Sequence, residues 1–500
     1  MMTEQQYLLG VDIGTGSSKG ALTTADGRVV ALSEQPHTVS LPHPGWAELD
    51  ADGVFWHDFR AICADLLPHA ADGEIAGVGV SGIGPCIVPA DSAGQPLRPT
   101  ILYGIDTRST AEVDEIMNRY GEDRIIEVCG NPMNAQSVGG RMLWLQRHEP
   151  EVWARTKYWF MASSYLTYKL TGAYVLDHVS ASYSEPLYDG SKGTWAQEWC
   201  EDLAPGLTMP ELVWPSQVVG TVTPTAAKIT GLPVGTPVVP GTIDAFADAM
   251  SVGVRHPGDS VLIYGSTMTI ITVTDKFVPG RPLWVNPHLF PGTYNQVAGM
   301  ATSGSLTKWL RDLCGGGFHF GELSIEARAV PPGSNGLLAL PYFAGERSPL
   351  LDPDARGVML GLTLNHGRGH LYRALLEATA FGVEHIFEGM RNAGVSTDHA
   401  FAVGGGTTGG LWPQIVADVT GVTQLVTEQS VGACYGDAMF AGVGTGLVSE
   451  DADWTTHSGR IEPTPGAREA YQPFYQAYRE LHAATVDLQH RMAKVQRGVR

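Results

Sequence analysis

LLGVDIGTGSSKGALTT, residues 8–24, reads as a strand, a tight turn and a second strand, and the turn is unusual. An ordinary hairpin needs one or two special residues at its bend. Here Gly14, Thr15, Gly16, Ser17 and Ser18 follow one another without a break. SVLIYGSTMTIITVT, residues 260–274, repeats the construction with Gly265, Ser266 and Thr267. Such turns expose backbone N–H groups and hydroxyls, the donors a phosphate chain requires. Two of them, half a chain apart, predict a duplicated α/β domain gripping a triphosphate from both sides. The expectation is an ATP-using enzyme with a cleft.

Composition narrows this further. The 500 residues exceed what one core serves, and the duplicated turn favours two domains. Hydrophobic residues at 43% against 17% charged fit a globular protein, and 61 Gly with 32 Pro call for many tight connections. A net charge of −20 argues against a nucleic-acid surface, so an anionic nucleotide must be met by local groups and a divalent cation. The six cysteines are isolated, without metal-ligand spacing, and read as buried thiols in a reducing compartment. MMTEQQY carries no basic leader, and no apolar run approaches a membrane span, so a soluble cytoplasmic protein is expected.

Strand-like runs at 7–13, 19–24, 28–33 and 75–81 alternate with helical patterns, as at 54–67, which points to an α/β layer fold. Residues 151–172 read as helical up to Gly172, with the domain boundary near residue 250. In the second half a helix carries Leu306, Leu310 and Leu313 on one face, and a longer one spans about 370–391. Tyr471, Phe474, Tyr478, Leu481, Leu488 and Met492 form a stripe for a terminal helix packed on the body.

Chemistry is expected at a few carboxylates. Asp12 closes the first strand at the mouth of the turn and would repel phosphates unless magnesium lay between them; Lys19 is the nearest fixed positive charge. In GTIDAFADAMSVG, residues 241–253, Asp244 starts a small-residue helix, from which it could accept a proton from a substrate hydroxyl, while Asp248 reads as structural. GGGTTGG, residues 404–410, contains G-x-G-x-x-G, with Glu428 about 20 residues on, a spacing that also suits an NAD-dependent oxidoreductase using 404–428. That reading leaves both hairpins unexplained.

These features resemble the FGGY carbohydrate kinases, a branch of the actin-like ATPase superfamily, over essentially the whole chain. GVMLGLTLNHGRGHLYRALLE, residues 357–377, is the most specific match, with Gly361, His370, Ala374 and Glu377 at the family spacing. PYFAGERSP, residues 341–349, and residues 404–421 are similar to family segments too. The resemblance implies two actin-like (ribonuclease H-like) α/β domains with an interdomain catalytic cleft. Residues 1–250 would form the sugar side with the base, and 251–500 the ATP side with the terminal helix. By position it assigns Asp12, with Asp244, to magnesium, and Gly14, Thr15, Gly16, Ser17 and Lys19 to ATP. Ser266, Thr267, Gly304, Lys308, Gly405, Gly406 and Gly410 complete the nucleotide set. Asp244 is the implied catalytic base, and Ser81, Gly82, Asp106 and Arg108 join it in holding the sugar.

The chain also departs from the xylulokinase pattern. SGIGP, residues 81–85, puts Gly84 and Pro85 where a Met-His pair is usual; Ala245 replaces an amide residue after the base, and Arg141 replaces a lysine. A pocket lacking two hydrogen-bonding side chains should discriminate differently among polyols. D-xylulose is the preferred substrate, with other ketoses, polyols or aldonates as alternatives and a homodimer as a possible assembly. A sugar-indifferent actin-like ATPase is the remaining rival.

Overall fold

The computed structural model describes residues 5–70, 73–104, 106–281, 283–427, 431–455 and 457–498. The chain forms two units. The first takes the described residues up to 255 together with 285–294 and 431–455; the second takes those of 256–284, 295–427 and 457–498. A single cut near residue 250 would misplace the two returning segments.

In the first unit a six-stranded sheet runs Gly220–Thr221, Pro237–Val239, Gly73–Gly82, Gln5–Ile13, Ser17–Thr24, Val29–Pro36. Gln5–Ile13 pairs antiparallel with Ser17–Thr24 and parallel with Gly73–Gly82. Strand alternation then sorts its residues. Leu9, Val11 and Ile13 enter the main hydrophobic core with Val78 and Val80. Gly10 faces the opposite side, against the helix Ala433–Gly444. A Cβ at Gly10 would lie 1.9 Å from the Cys434 carbonyl oxygen, and one at Gly79 would lie 2.1 Å from that of Asp437. The helix therefore rests on the backbone of two strands, at a distance only glycine permits.

The second unit repeats the local pattern. Asp259–Tyr264 pairs antiparallel with Met268–Thr274 and parallel with His399–Val403. Six consecutive strands of its sheet run Tyr294–Met300, Met268–Thr274, Asp259–Tyr264, His399–Val403, Gln424–Thr427, His457–Ile461. Arg368–Asn392 is buried along most of its length against this sheet's core, with Gly394 in the left-handed region just past its end.

Three sequence expectations need correction. Residues 151–172 are not one helix: Tyr158–Phe160 forms a strand against Val88–Ala90, between the helices Pro150–Arg155 and Ala162–Thr171. Leu313 does not share the face of Leu306 and Leu310; those two are buried and it is 66% exposed. The terminal stripe holds through Leu481 and then turns. Leu488 and Met492 face solvent while Gln489 and Ala493 are buried, because Gln489 accepts the Arg356 N–H at 2.9 Å and His490 meets Asp352 at 2.7 Å. Polar anchoring to that loop sets the helix's rotation there. All six cysteines are free, and no helix among the described residues is long and apolar enough to cross a membrane.

Gly79→Ala should lower unfolding free energy by about 1–3 kcal/mol through overpacking against the helix backbone. Gly16→Ala, with nothing within 4 Å of its added methyl, should stay within about 0.5 kcal/mol of the parent. Urea denaturation midpoints read both, and equal midpoints for the two variants would contradict this packing.

Candidate active site

The first glycine-rich turn is closed by the Gly14 N–H donating to the Ser17 carbonyl at 3.1 Å. A Cβ at Gly14 would lie 2.6 Å from that oxygen, so glycine is required. Thr15 and Gly16 are exposed. His37 braces the turn from behind: its Nε2 lies 3.1 Å from the Gly14 carbonyl oxygen and its Nδ1 2.9 Å from Asp58, which also accepts from Ser18. Ser17 gives its hydroxyl to Glu34 at 2.7 Å, so it offers the turn a backbone group rather than a free hydroxyl. Lys19, directly across from Asp12, is half-exposed and 3.9 Å from Glu34.

Asp12 and Asp244 are brought together by residues 81–83. The Ile83 N–H donates to the Ile13 carbonyl at 2.8 Å, and Gly82 bridges to Ile243, the residue before Asp244. Burial pushes the Asp12 carboxyl up to about 7, opposed by a hydrogen bond from Ser81 and aggravated by Asp248. Asp244 opens the helix Asp244–Ser251, and burial, then the charge of Asp12, raise it well above the usual carboxylate range. Asp248 therefore adds negative charge to both, beyond the structural role its spacing suggested.

Sequence reasoning missed two members of this cluster. Tyr103, in the same YGIDTRS segment as Asp106, has its phenol pushed up to about 12, first by the charge of Asp244 and then by burial, and it hydrogen-bonds Thr15. It is bonded to the first turn and feels the charge of Asp244. Asp437, on the helix Ala433–Gly444, is fully buried with its Oδ2 2.6 Å from the Ser81 hydroxyl. An aspartate inside the small-residue run GACYGDAMFAG was the available signal.

Three predicted sugar contacts have other partners. Ser81 is buried, its hydroxyl held between Asp437 and Asp12, 3.1 Å from the latter's Oδ1. Arg108 has no exposed side-chain surface; it forks onto Asp106, reaches Glu48 at 2.8 Å and stacks 4.0 Å from the Trp46 ring centre. Asp106 also accepts the Ala47 N–H at 2.8 Å. A buried guanidinium needs carboxylates and aromatic faces around it, so this pair braces the chain at 45–48. Two departures from the xylulokinase pattern also meet: the buried Arg141 donates to the Pro85 carbonyl at 2.8 Å, and burial lowers its own pKa to about 10.

In the second unit the other hairpin presents Ser266 and Thr267, both exposed. The start of the helix Gly304–Leu313 is stitched to that turn: the N–H groups of Ser303 and Ser305 donate to the Ser266 carbonyl, and that of Gly304 to Gly265 at 2.9 Å. A Cβ on Gly304 would lie 2.5 Å from the Gly265 oxygen. Lys308, exposed on this helix, pairs with Asp312 at 2.6 Å. Gly405 and Gly406 lie in a short turn after His399–Val403, and Gly410 caps the helix Leu411–Thr420. A Cβ on Gly404 or Gly406 would crowd Tyr264, at the foot of the hairpin. Close approach to that strand explains these glycines without a dinucleotide. Glu428, the acidic residue of the NAD reading, lies outside the described residues.

Comparison with known proteins agrees with this arrangement. The N-terminal domain of the FGGY family of carbohydrate kinases matches residues 7–251, and its C-terminal domain matches 261–445. The chain belongs to this family. FGGY members are phosphotransferases, and the oxidoreductase reading of 404–428 has no support beside that membership. The crystal structure of a xylulose kinase from Rhodospirillum rubrum is 33% identical, with a TM-score of 0.92 over 97% of this chain and 100% of that one. Xylulose kinases of Bacillus subtilis and Escherichia coli K12 are 26% and 28% identical, over 97% and 96% of this chain and 98% and 99% of theirs.

The acidic cluster bears on the metal expected for an FGGY kinase. Among the described residues no group of three or more His, Cys, Asp or Glu is placed to hold an ion alone. Asp12 and Asp244 are instead both raised first by burial, Asp244 next by the charge of Asp12 and both by that of Asp248, which suits an ion that keeps most of its water and phosphate ligands, as magnesium does.

Asp12 holds its proton more tightly folded than unfolded, so its contribution to stability is complete below about pH 4 and is lost as pH rises through about 7. The Tm of the metal-free protein should fall between about pH 4 and 7 and level off above, and fall less in Asp12→Asn. Differential scanning calorimetry reads the difference; parallel curves would move the buried charge elsewhere.

Proposed function

We propose that the protein transfers the γ-phosphoryl group of ATP to a hydroxyl of a small ketose or polyol, D-xylulose first among them. The observation carrying this reading is Asp244. It stands at a helix start, half-buried, with its proton affinity raised by burial and Asp12, and with the Tyr103 phenol beside it. A carboxylate so tuned takes the proton of an incoming hydroxyl near neutral pH. Tyr103, hydrogen-bonded to Thr15 of the phosphate turn, lies within the field of that carboxylate. Gly14, Thr15, Gly16 and Lys19 serve the phosphates, as do Ser266, Thr267, Gly304 and Lys308 of the second unit, with Gly405, Gly406 and Gly410 on the adenosine. Asp12 and Asp244 would hold magnesium, which when bound neutralises phosphate charge. Phosphoryl transfer asks mostly for positioning and charge neutralisation, so donors fixed by backbone geometry do most of the work.

The preference for xylulose rests on relatives that carry that name. Gly82 and the neighbouring 83–85 segment, anchored through Arg141, shape the sugar side without the Met-His pair. A panel of pentuloses, hexuloses, polyols and aldonates with Mg-ATP, read by coupled ADP release and product analysis, should give the highest kcat/KM for a ketose. Highest turnover on an aldonate would move the assignment within the family, and ATP hydrolysis indifferent to every sugar would overturn it.

Asp244→Ala should lower kcat by roughly 100- to 10,000-fold while ATP still binds. Near-normal sugar-dependent ADP release by that variant would remove Asp244 from the role of base.

A further inference from the structure

Asp437 is the one carboxylate of the helix Ala433–Gly444, and nothing in the reaction as described uses it. It is fully buried in a niche of glycine backbone: a Cβ on Gly10 would lie 3.0 Å from its own Cβ, and one on Gly241 would lie 3.2 Å from Oδ1. That Oδ1 has no hydrogen-bond partner among the described residues. The polar attachment of the group is Ser81, whose hydroxyl lies 2.6 Å from Oδ2. The same hydroxyl lies 3.1 Å from Asp12 Oδ1. Asp12 turns its other oxygen toward the phosphate turn, where a Cβ on Gly14 would sit 3.8 Å from Oδ2.

A serine hydroxyl has one proton to give. Between two carboxyl groups it can donate to one, and the contact with the other closes only if that carboxyl donates its own proton. Lys19 lies across from Asp12 and favours the charged form there. The charges acting on Asp437 are the carboxylates of Asp12 and Asp244, and burying it as a neutral acid costs far less than burying a carboxylate. The order is therefore Asp437 O–H to Ser81, and Ser81 O–H to Asp12. Burial, and after it the charge of Asp12, raise the Asp437 carboxyl well above its usual range, against hydrogen bonds from Ser81 that lower it.

We propose that Asp437 is a positioning residue of the phosphoryl-transfer site: by donating to Ser81 it commits the serine hydroxyl to Asp12 Oδ1 and leaves Asp12 Oδ2 aimed at the metal–nucleotide complex. The proposal rests on the kinase reading, with Asp12 toward magnesium. It requires a hydrogen-bond donor at position 437, and an amide of the same shape can supply one.

The test uses full-length Asp437→Ala, Asp437→Asn, Ser81→Ala and the Ser81→Ala/Asp437→Ala double variant, each checked for folding by circular dichroism. Manganese binding to the ADP complex is measured by electron paramagnetic resonance, beside the magnesium dependence of kcat and the KM for sugar. Asp437→Ala should weaken manganese binding about tenfold and shift magnesium activation in parallel, as loss of an outer-sphere partner does. The sugar KM should move less than about twofold. Asp437→Asn should recover most of the loss, and the double variant should be no worse than Ser81→Ala, since the links form one chain. Should Asp437→Ala fail to fold, Ser81→Ala carries the same expectation for manganese. Unchanged manganese affinity in Asp437→Ala or Ser81→Ala, an asparagine as defective as the alanine, or losses that multiply would overturn the proposal. A parent enzyme without sugar-dependent ADP release would instead overturn the kinase reading, because the manganese measurement needs no sugar.

Discussion

The seating of one helix directly on strand backbone governs the first unit. Ala433–Gly444 lies so close to Gln5–Ile13 and Gly73–Gly82 that side chains at Gly10 and Gly79 are sterically excluded. Gly436 answers from the helix, where a Cβ would lie 2.0 Å from the Ala247 carbonyl oxygen. Contacts of this kind between backbones tolerate little adjustment, because the atoms that would have to yield belong to hydrogen-bonded ladders. Asp12, Ser81, Asp437 and the helix of Asp244 are all mounted on the elements so joined.

A second consequence concerns charge. The packing leaves a dry niche in which carboxyl groups outnumber fixed cations, and their proton affinities rise accordingly. Such a cluster would be a plain liability in a structural core. Here it lies beside the turn at 14–17, in a chain whose net charge is already −20. The Ser81 hydroxyl lies between two of these carboxyls, those of Asp12 and Asp437.

Much of this was legible in the sequence. Both hairpins, the strands around them, the helix start at Asp244 and the long helix near 370–391 declare themselves through turn chemistry and periodicity, which are local properties. Asp12 and Asp244 each end or begin an element, but their pairing rests on the family resemblance rather than on any local signal. What escaped was non-local. Nothing local says that residues 431–455 return to the first unit, so Asp437 had no visible neighbours. The engagement of Arg108 with Glu48 and Trp46 joins residues some 60 positions apart, which no local pattern shows. The terminal stripe misled past Leu481 because polar anchors, which periodicity does not register, take over the contact.

The late position of Ala433–Gly444 also bears on biosynthesis. A nascent chain that has emerged only through residue 255 possesses every strand of the first sheet yet lacks the helix that roofs it. Until nearly the whole polypeptide has left the ribosome, Gly10, Gly77 and Gly79 line an uncovered furrow, and Asp12 and Ser81 stand in water. The first unit is thus begun first but completed only when residues 431–455 arrive, and truncation before residue 433 would deprive it of its roof.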